Sequence, residues 1–131
     1  MIGLDTNVIV RYLVQDDPVQ SARATQIMER QLTGDEPGFV SLVAMVETVW
    51  VLQRVYGLTS REVADAVERM LEADTLMIQN EQEVFTAMMA VKAGAGAFSD
   101  ALIGALGGWA GCEATVTFDK KAARLDGFEP A

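Results

Sequence analysis

Histidine is missing from all 131 residues. That excludes Ser-His-Asp and Cys-His triads, His-ligated metals and imidazole acid–base pairs. Cysteine is nearly missing too: Cys112 stands alone. There is therefore no internal disulfide and no thiolate zinc site, and the usage fits a reducing, cytoplasmic compartment. No uncharged apolar run reaches the ~18 residues of a membrane span. The opening MIGLDTNVIV has neither the basic n-region nor the small-residue cleavage site of a secretory leader. Bases are scarce, ten against nineteen acids, for a net charge of −9, which weakens non-specific attraction to nucleic acid. With imidazole and clustered thiolate gone, carboxylates are the main polar chemistry left, and carboxylates favour Mg²⁺ or Mn²⁺ over zinc or copper.

What is present is unevenly spread. Between Gly57 and Ala90 seven acids face two arginines, a local charge of −5; the remaining twelve acids and eight bases leave −4. That remainder equals four carboxylates in unusual places: Asp5, Glu47, Asp100 and Asp119. Outside them the rest of the chain is electrically balanced, so an acidic lobe does not forbid an RNA partner.

Short apolar runs alternate with longer amphipathic stretches, the pattern of an α/β domain with a parallel sheet. Half the residues are hydrophobic, enough for the core of one domain spanning residues 1–131. Ile2–Asp5 reads as a strand and Thr6–Val14 as a helix with Val8, Ile9, Tyr12 and Leu13 inward. Asp17 and Pro18 start a helix to about Leu32. Gly38–Val40 is a strand, and Ser41 caps a helix over Leu42–Tyr56 that Gly57 ends. Thr59 or Ser60 caps Arg61–Ala73, Thr75–Gln79 is a strand, and Asn80 caps a helix to about Ala93. Ser99 caps a helix to about Ala110. Ala114–Phe118 is a strand, Lys120–Arg124 a helical turn, and Phe128 belongs to a last edge strand.

Asp5-Thr6-Asn7 lies at a strand's carboxyl end, where sites form in parallel sheets. All three residues are also favoured helix caps. Glu47 has Val43, Ala44, Trp50 and Val51 as its helical neighbours, and a glutamate is rarely buried unless paired; the ordinary alternative is a solvent-facing Glu47 on a helix whose other sides are covered, or a pair with Arg11 or Arg54. Asp100 falls in the first turn of a helix, whose positive end an acid favours. Asp119 follows a strand on which Thr117 points to the same side, placed to position that carboxylate or a water. Four like charges brought to one end of a sheet would repel unless a cation joined them.

The chain resembles the PIN-domain ribonucleases, and more narrowly the VapC toxins of bacterial and archaeal toxin–antitoxin pairs. The resemblance rests on Leu4-Asp5-Thr6-Asn7, Val46-Glu47-Thr48-Val49-Trp50-Val51-Leu52, Phe98-Ser99-Asp100-Ala101-Leu102-Ile103 and Thr117-Phe118-Asp119-Lys120-Lys121-Ala122-Ala123-Arg124-Leu125, in the family's order. Ser99 stands where the family often has alanine. The resemblance implies a single PIN-like domain with a central short parallel β-sheet flanked by helices, and a Mg²⁺-dependent (or Mn²⁺-dependent) endoribonuclease hydrolysing RNA by metal-activated water. Asp5 and Asp100 would be direct metal ligands, Glu47 and Asp119 would complete the acidic cluster, and Thr6, Asn7 and Thr117 would support it. It further implies an adjacent VapB-type antitoxin and a homodimer. In-line attack of water leaves a 5′-phosphate and a 3′-hydroxyl, and unpaired RNA suits best.

Arg11, Arg54, Lys92, Lys120, Lys121 and Arg124 are candidate phosphate contacts, with Lys92 favoured as an ordinary surface charge near a helix end. Val10 and Val14 are apolar positions suited to a partner or to the core. Two other readings compete. One is a metal-free partner-binding module whose acids are helix caps. The other is an aspartate-nucleophile phosphatase, which is disfavoured because Asp5-Thr6-Asn7 lacks a second aspartate two residues on.

Overall fold

A computed structural model describes all 131 residues. Three short strands, β1 (Ile2–Gly3), β2 (Gly38–Val40) and β3 (Leu76–Ile78), form a parallel sheet in that order. Its register pairs Ile2 with Gly38 and Gly38 with Leu76. Between β1 and β2 run α1 (Thr6–Val14) and α2 (Pro18–Gln26), the latter ending in a π turn over Ile27–Gln31. Between β2 and β3 run α3 (Leu42–Arg54) and α4 (Ser60–Glu72). α5 (Glu81–Lys92) and α6 (Phe98–Trp109) follow, and α5 packs against both α4 and α6. The chain closes with β4 (Thr115–Thr117), a 3₁₀ turn over Ala122–Arg124, and β5 (Phe128–Pro130).

The α/β class is as expected, but the strands form two sheets rather than one. β4 pairs in parallel with β5 and hydrogen-bonds to neither β1 nor β3. The second sheet is seated against α6. A side chain at Gly104 would sit 2.5 Å from the Phe128 ring, and one at Gly107 would sit 2.7 Å from the Thr115 hydroxyl. The two glycines let the β4–β5 ribbon lie directly on α6. Pro130 has no N–H to give a ladder, which suits an edge strand.

Local signals set most boundaries. Asp17 accepts from the N–H groups of Val19 and Gln20, with Pro18 at the first helical position. Thr59 and Glu62 form a reciprocal capping box. Gly57, at φ +67°, ends the α3 region. Two expected caps do not form. Asn80 is in the left-handed region and its amide donates to Glu83 instead. Ser99 lies inside α6, whose N-cap is Ala97, because Phe98 is buried and draws the first turn into the core.

One continuous core holds Ile9, Met45, Leu52, Val67, Met88 and Leu102 among its most enclosed side chains. Val10 is buried, and Val14 packs half-buried against the core, so neither is free for a partner. Thr48 is fully buried and its hydroxyl has no hydrogen-bond partner. An unpaired buried hydroxyl costs about 1–3 kcal/mol. Replacing it with the near-isosteric valine is therefore expected to stabilise the fold by roughly 1 kcal/mol, seen as a higher thermal midpoint. A lowered midpoint would show that the hydroxyl has work the geometry does not reveal.

Candidate acidic site

The site grows from the junction of β1 and α1. Leu4 is still extended, its N–H donating to Phe39, and the next residue, Asp5, caps α1. Asp5 Oδ1 accepts from the Thr6 N–H at 2.8 Å, which leaves Oδ2 without a protein donor. Thr6 is buried, and its hydroxyl donates to Glu47 Oε1 on α3. One threonine thus ties two carboxylates from residues 42 positions apart in sequence to the same place. Asp5, Thr6, Asn7, Arg11, Glu47 and Tyr56 line an open cleft of about 340 Å³ there.

Glu47 is exposed, the solvent-facing alternative, despite its apolar surroundings in sequence. α3 turns Ala44, Met45, Thr48, Val49 and Leu52 into the core. Its other side leaves Val43 and Trp50 exposed together with Glu47. Two of the apolar neighbours that made Glu47 look enclosed, Val43 and Trp50, are themselves at the surface. It pairs with neither Arg11 nor Arg54; no ion pair involves it.

The other two acids are carried by α6 and by the turn after β4. Asp100 is half-buried in the first turn of α6. Its neighbour Ser99 lines an apolar groove of about 560 Å³ between α3 and α6, and Glu47 also lines that groove. Asp119 is exposed beyond β4. Its Oδ1 accepts from the N–H groups of Lys121 and Ala122 at 2.7 and 3.1 Å, while Thr117 Oγ1 accepts from the Asp119 N–H at 3.0 Å. Thr117 therefore fixes the backbone at 119 rather than the carboxylate. No three acids gather into a group able to hold a metal ion. Of the four acids expected together, Asp5 and Glu47 share one cleft, while Asp119 follows β4, which pairs with β5 rather than with β1.

The two N–H bonds hold the Asp119 carboxyl below its ordinary value of 3.8. A depressed folded-state value contributes stability above the unfolded pKa and loses it as pH falls through the folded one. The 119–125 turn is thus expected to loosen below about pH 4, and an NMR titration of Asp119 should give a midpoint under 3.8. A midpoint above 3.8 would contradict the capping geometry.

Among the candidate phosphate contacts, Arg54, Lys120, Lys121 and Arg124 are exposed and without ion pairs. Lys92 is not an ordinary surface charge. Its ammonium donates to Glu68 at 2.7 Å and lies 3.6 Å from Asp65, with the side chain 17% exposed. It clamps the end of α5 to α4. Arg11 is anchored: Nε donates to Gln20 at 2.8 Å, and Nη1 to Asp16 at 3.2 Å and to the Tyr56 hydroxyl at 3.0 Å. Tyr56 in turn donates to Asp16 at 2.8 Å, which holds its pKa above 10.0 and keeps the hydroxyl protonated. Tyr56 was not among the residues the sequence singled out, and a lone tyrosine before a glycine carries no signal of a partner 40 residues away.

No curated protein matches the chain. The family model of the PIN domain matches residues 2–128, nearly end to end. With short parallel strands, alternating helices and a carboxylate pair at the carboxyl end of β1, the chain belongs to the PIN-domain family, whose members are generally nucleases.

Proposed function

We propose that the protein is a divalent-metal-dependent endoribonuclease and the toxin of a VapBC-type pair. The observation that supports this best is the Asp5–Thr6–Glu47 link at the end of β1. It brings two carboxylates to one open cleft, and neither of them has an ion-pair partner in the chain; Arg11, which also lines the cleft, is paired with Asp16. The donors present are all hard oxygens, and Mg²⁺ takes one or two carboxylates and keeps several waters, so the pair fits such an ion. Asp5 would hold it through its unengaged oxygen with Glu47 beside it holding water; Asp100 as the second direct ligand and Asp119 as a further water holder would have to be drawn in as the ion binds, since no three acids are gathered without it. When bound, the ion supplies Lewis-acid activation of water and shields charge on the phosphoryl oxygens.

The chain's own residues prepare that chemistry. Capping by Asp5 fixes its rotamer, and the buried Thr6 hydroxyl holds Glu47 in one orientation. Asn7 lines the same cleft as an uncharged donor and acceptor. Arg54, Lys120 and Lys121 are available for phosphates of unpaired RNA. The purified chain incubated with total RNA and Mg²⁺ should yield new 5′-phosphate ends that EDTA abolishes. Cleavage unaffected by EDTA would refute the metal-dependent reading.

The same proposal includes a homodimer and a cognate antitoxin. Val43, Trp50 and Ile103 are exposed on the α3–α6 groove, an unpartnered apolar surface suited to a second copy. Sedimentation showing only monomer at high protein concentration would count against the dimer. The acidic lobe of residues 57–90 suits a basic antitoxin segment, whose affinity should then fall with added salt. A metal-free partner-binding module is the second reading, favoured by the lack of any three-acid group. It is supported if Mg²⁺ and Mn²⁺ neither stabilise the chain nor enable RNA cleavage.

A further inference from the structure

Arg11 and Asn7 form a wall between two clefts. On one side is the acidic site; on the other is a cleft of about 330 Å³ between α1 and α2. Arg11, Asn7, Gln20 and Arg23 provide the polar lining of that second cleft, and no carboxylate lines it. On a chain with nineteen acids and ten bases, a concavity with two arginines and no acid is a marked departure.

The two arginines differ in kind. Arg23 donates to the neutral Gln26 at 3.0 Å and has no acidic partner, so its charge is uncompensated. Arg11 is partly offset by Asp16, but its guanidinium is held on two edges by Gln20, Asp16 and Tyr56, and Nη2 donates to nothing in the chain. A fixed planar guanidinium with its Nη2 group free is pre-organised to donate to a phosphate oxygen. The other nearby acid, Asp17, is directed at the Val19 and Gln20 N–H groups.

We propose that the α1–α2 cleft binds a backbone phosphate of the nucleic acid strand, next along from the one at the acidic site. Arg23 supplies the charge, Arg11 the directed hydrogen bond, and Tyr56 and Asp16 are positioning residues for Arg11. The inference rests on the nuclease reading and extends it to the path of the strand.

The test is fluorescence anisotropy of a short labelled single-stranded RNA on the full chain in EDTA, which leaves the strand intact, over ~50 to ~200 mM KCl. Arg23→Gln and Arg11→Gln are each expected to weaken binding roughly five-fold and lower the salt slope by about 0.7, the value for one single-strand phosphate. Arg61→Gln, on the exposed face of α4, should change neither. Tyr56→Phe should weaken binding about two-fold in the wild-type background and not at all beside Arg11→Gln, since residues acting through one another do not add. Arg11→Lys should keep the slope while losing affinity, which separates a misplaced charge from an unfolded chain. Unchanged affinity and slope in both Arg23→Gln and Arg11→Gln, with wild-type binding intact, would overturn the proposal. An equal loss from Tyr56→Phe in both backgrounds would overturn its positioning role. If the wild-type chain neither binds RNA here nor cleaves it with Mg²⁺, the nuclease reading itself fails.

Discussion

Replacing Asp5 with asparagine is expected to lower RNA cleavage by about 10³-fold or more, with the thermal midpoint nearly unmoved. Asparagine caps helices as well as aspartate does, and its amide oxygen can still accept the Thr6 N–H that Oδ1 accepts in the native chain. The buried Thr6 hydroxyl and its bond to Glu47 need no change. What disappears is the anionic donor at the mouth of the cleft. Loss of a ligand that aligns an activating cation removes several kcal/mol of transition-state stabilisation, and ~4 kcal/mol corresponds to about 10³ in rate. Asp5→Ala offers the contrast: the same loss of cleavage, plus about 1 kcal/mol of stability from the missing cap. Near-normal cleavage by purified Asp5→Asn would remove this residue from the chemistry.

Gly104→Val is expected to destabilise the fold by about 2 kcal/mol, because over-packing a close contact typically costs ~1–3 kcal/mol. The first added carbon would lie 2.5 Å from the Phe128 ring, and a ring edge cannot swing aside as a flexible chain end can. The β4–β5 ribbon must therefore lift from α6. For a chain of this size the midpoint should fall by roughly 6–10 °C. Asp119 rides on that ribbon, so cleavage should fall as well if it serves the site. Valine recovers some helix propensity relative to glycine, which is why the loss is not larger. An unchanged midpoint would mean that β4–β5 is not seated on α6.

How much of this could be read from the residues depends on whether a signal is local. The limits of α1, the Asp17-Pro18 start, the Ser41 cap and the Thr59 capping box follow from neighbours within a turn, and the sequence shows them. Asp5 at the end of a strand and the start of a helix was legible for the same reason. Whether Glu47 is enclosed or solvent-facing stays open in the sequence because α3 is apolar all round, and periodicity cannot tell which apolar side faces solvent. Lys92 was misread because its partners, Glu68 and Asp65, lie on another helix. The Arg11–Asp16–Tyr56 network spans 45 residues and has no motif. The close seat of the β4–β5 ribbon on α6 turns on two small residues whose meaning appears only once Phe128 and Thr115 are placed against them.

A divalent ion is expected to bind where Asp5 and Glu47 meet. Paramagnetic broadening of backbone amides by substoichiometric Mn²⁺ tests it most directly. The expected result is selective loss of signals from Asp5, Thr6, Asn7 and Glu47, joined by those around Asp100, and its disappearance in Asp5→Asn. Broadening centred on the acidic lobe of residues 57–90, with the amides at residues 5–7 and 47 left sharp, would contradict it.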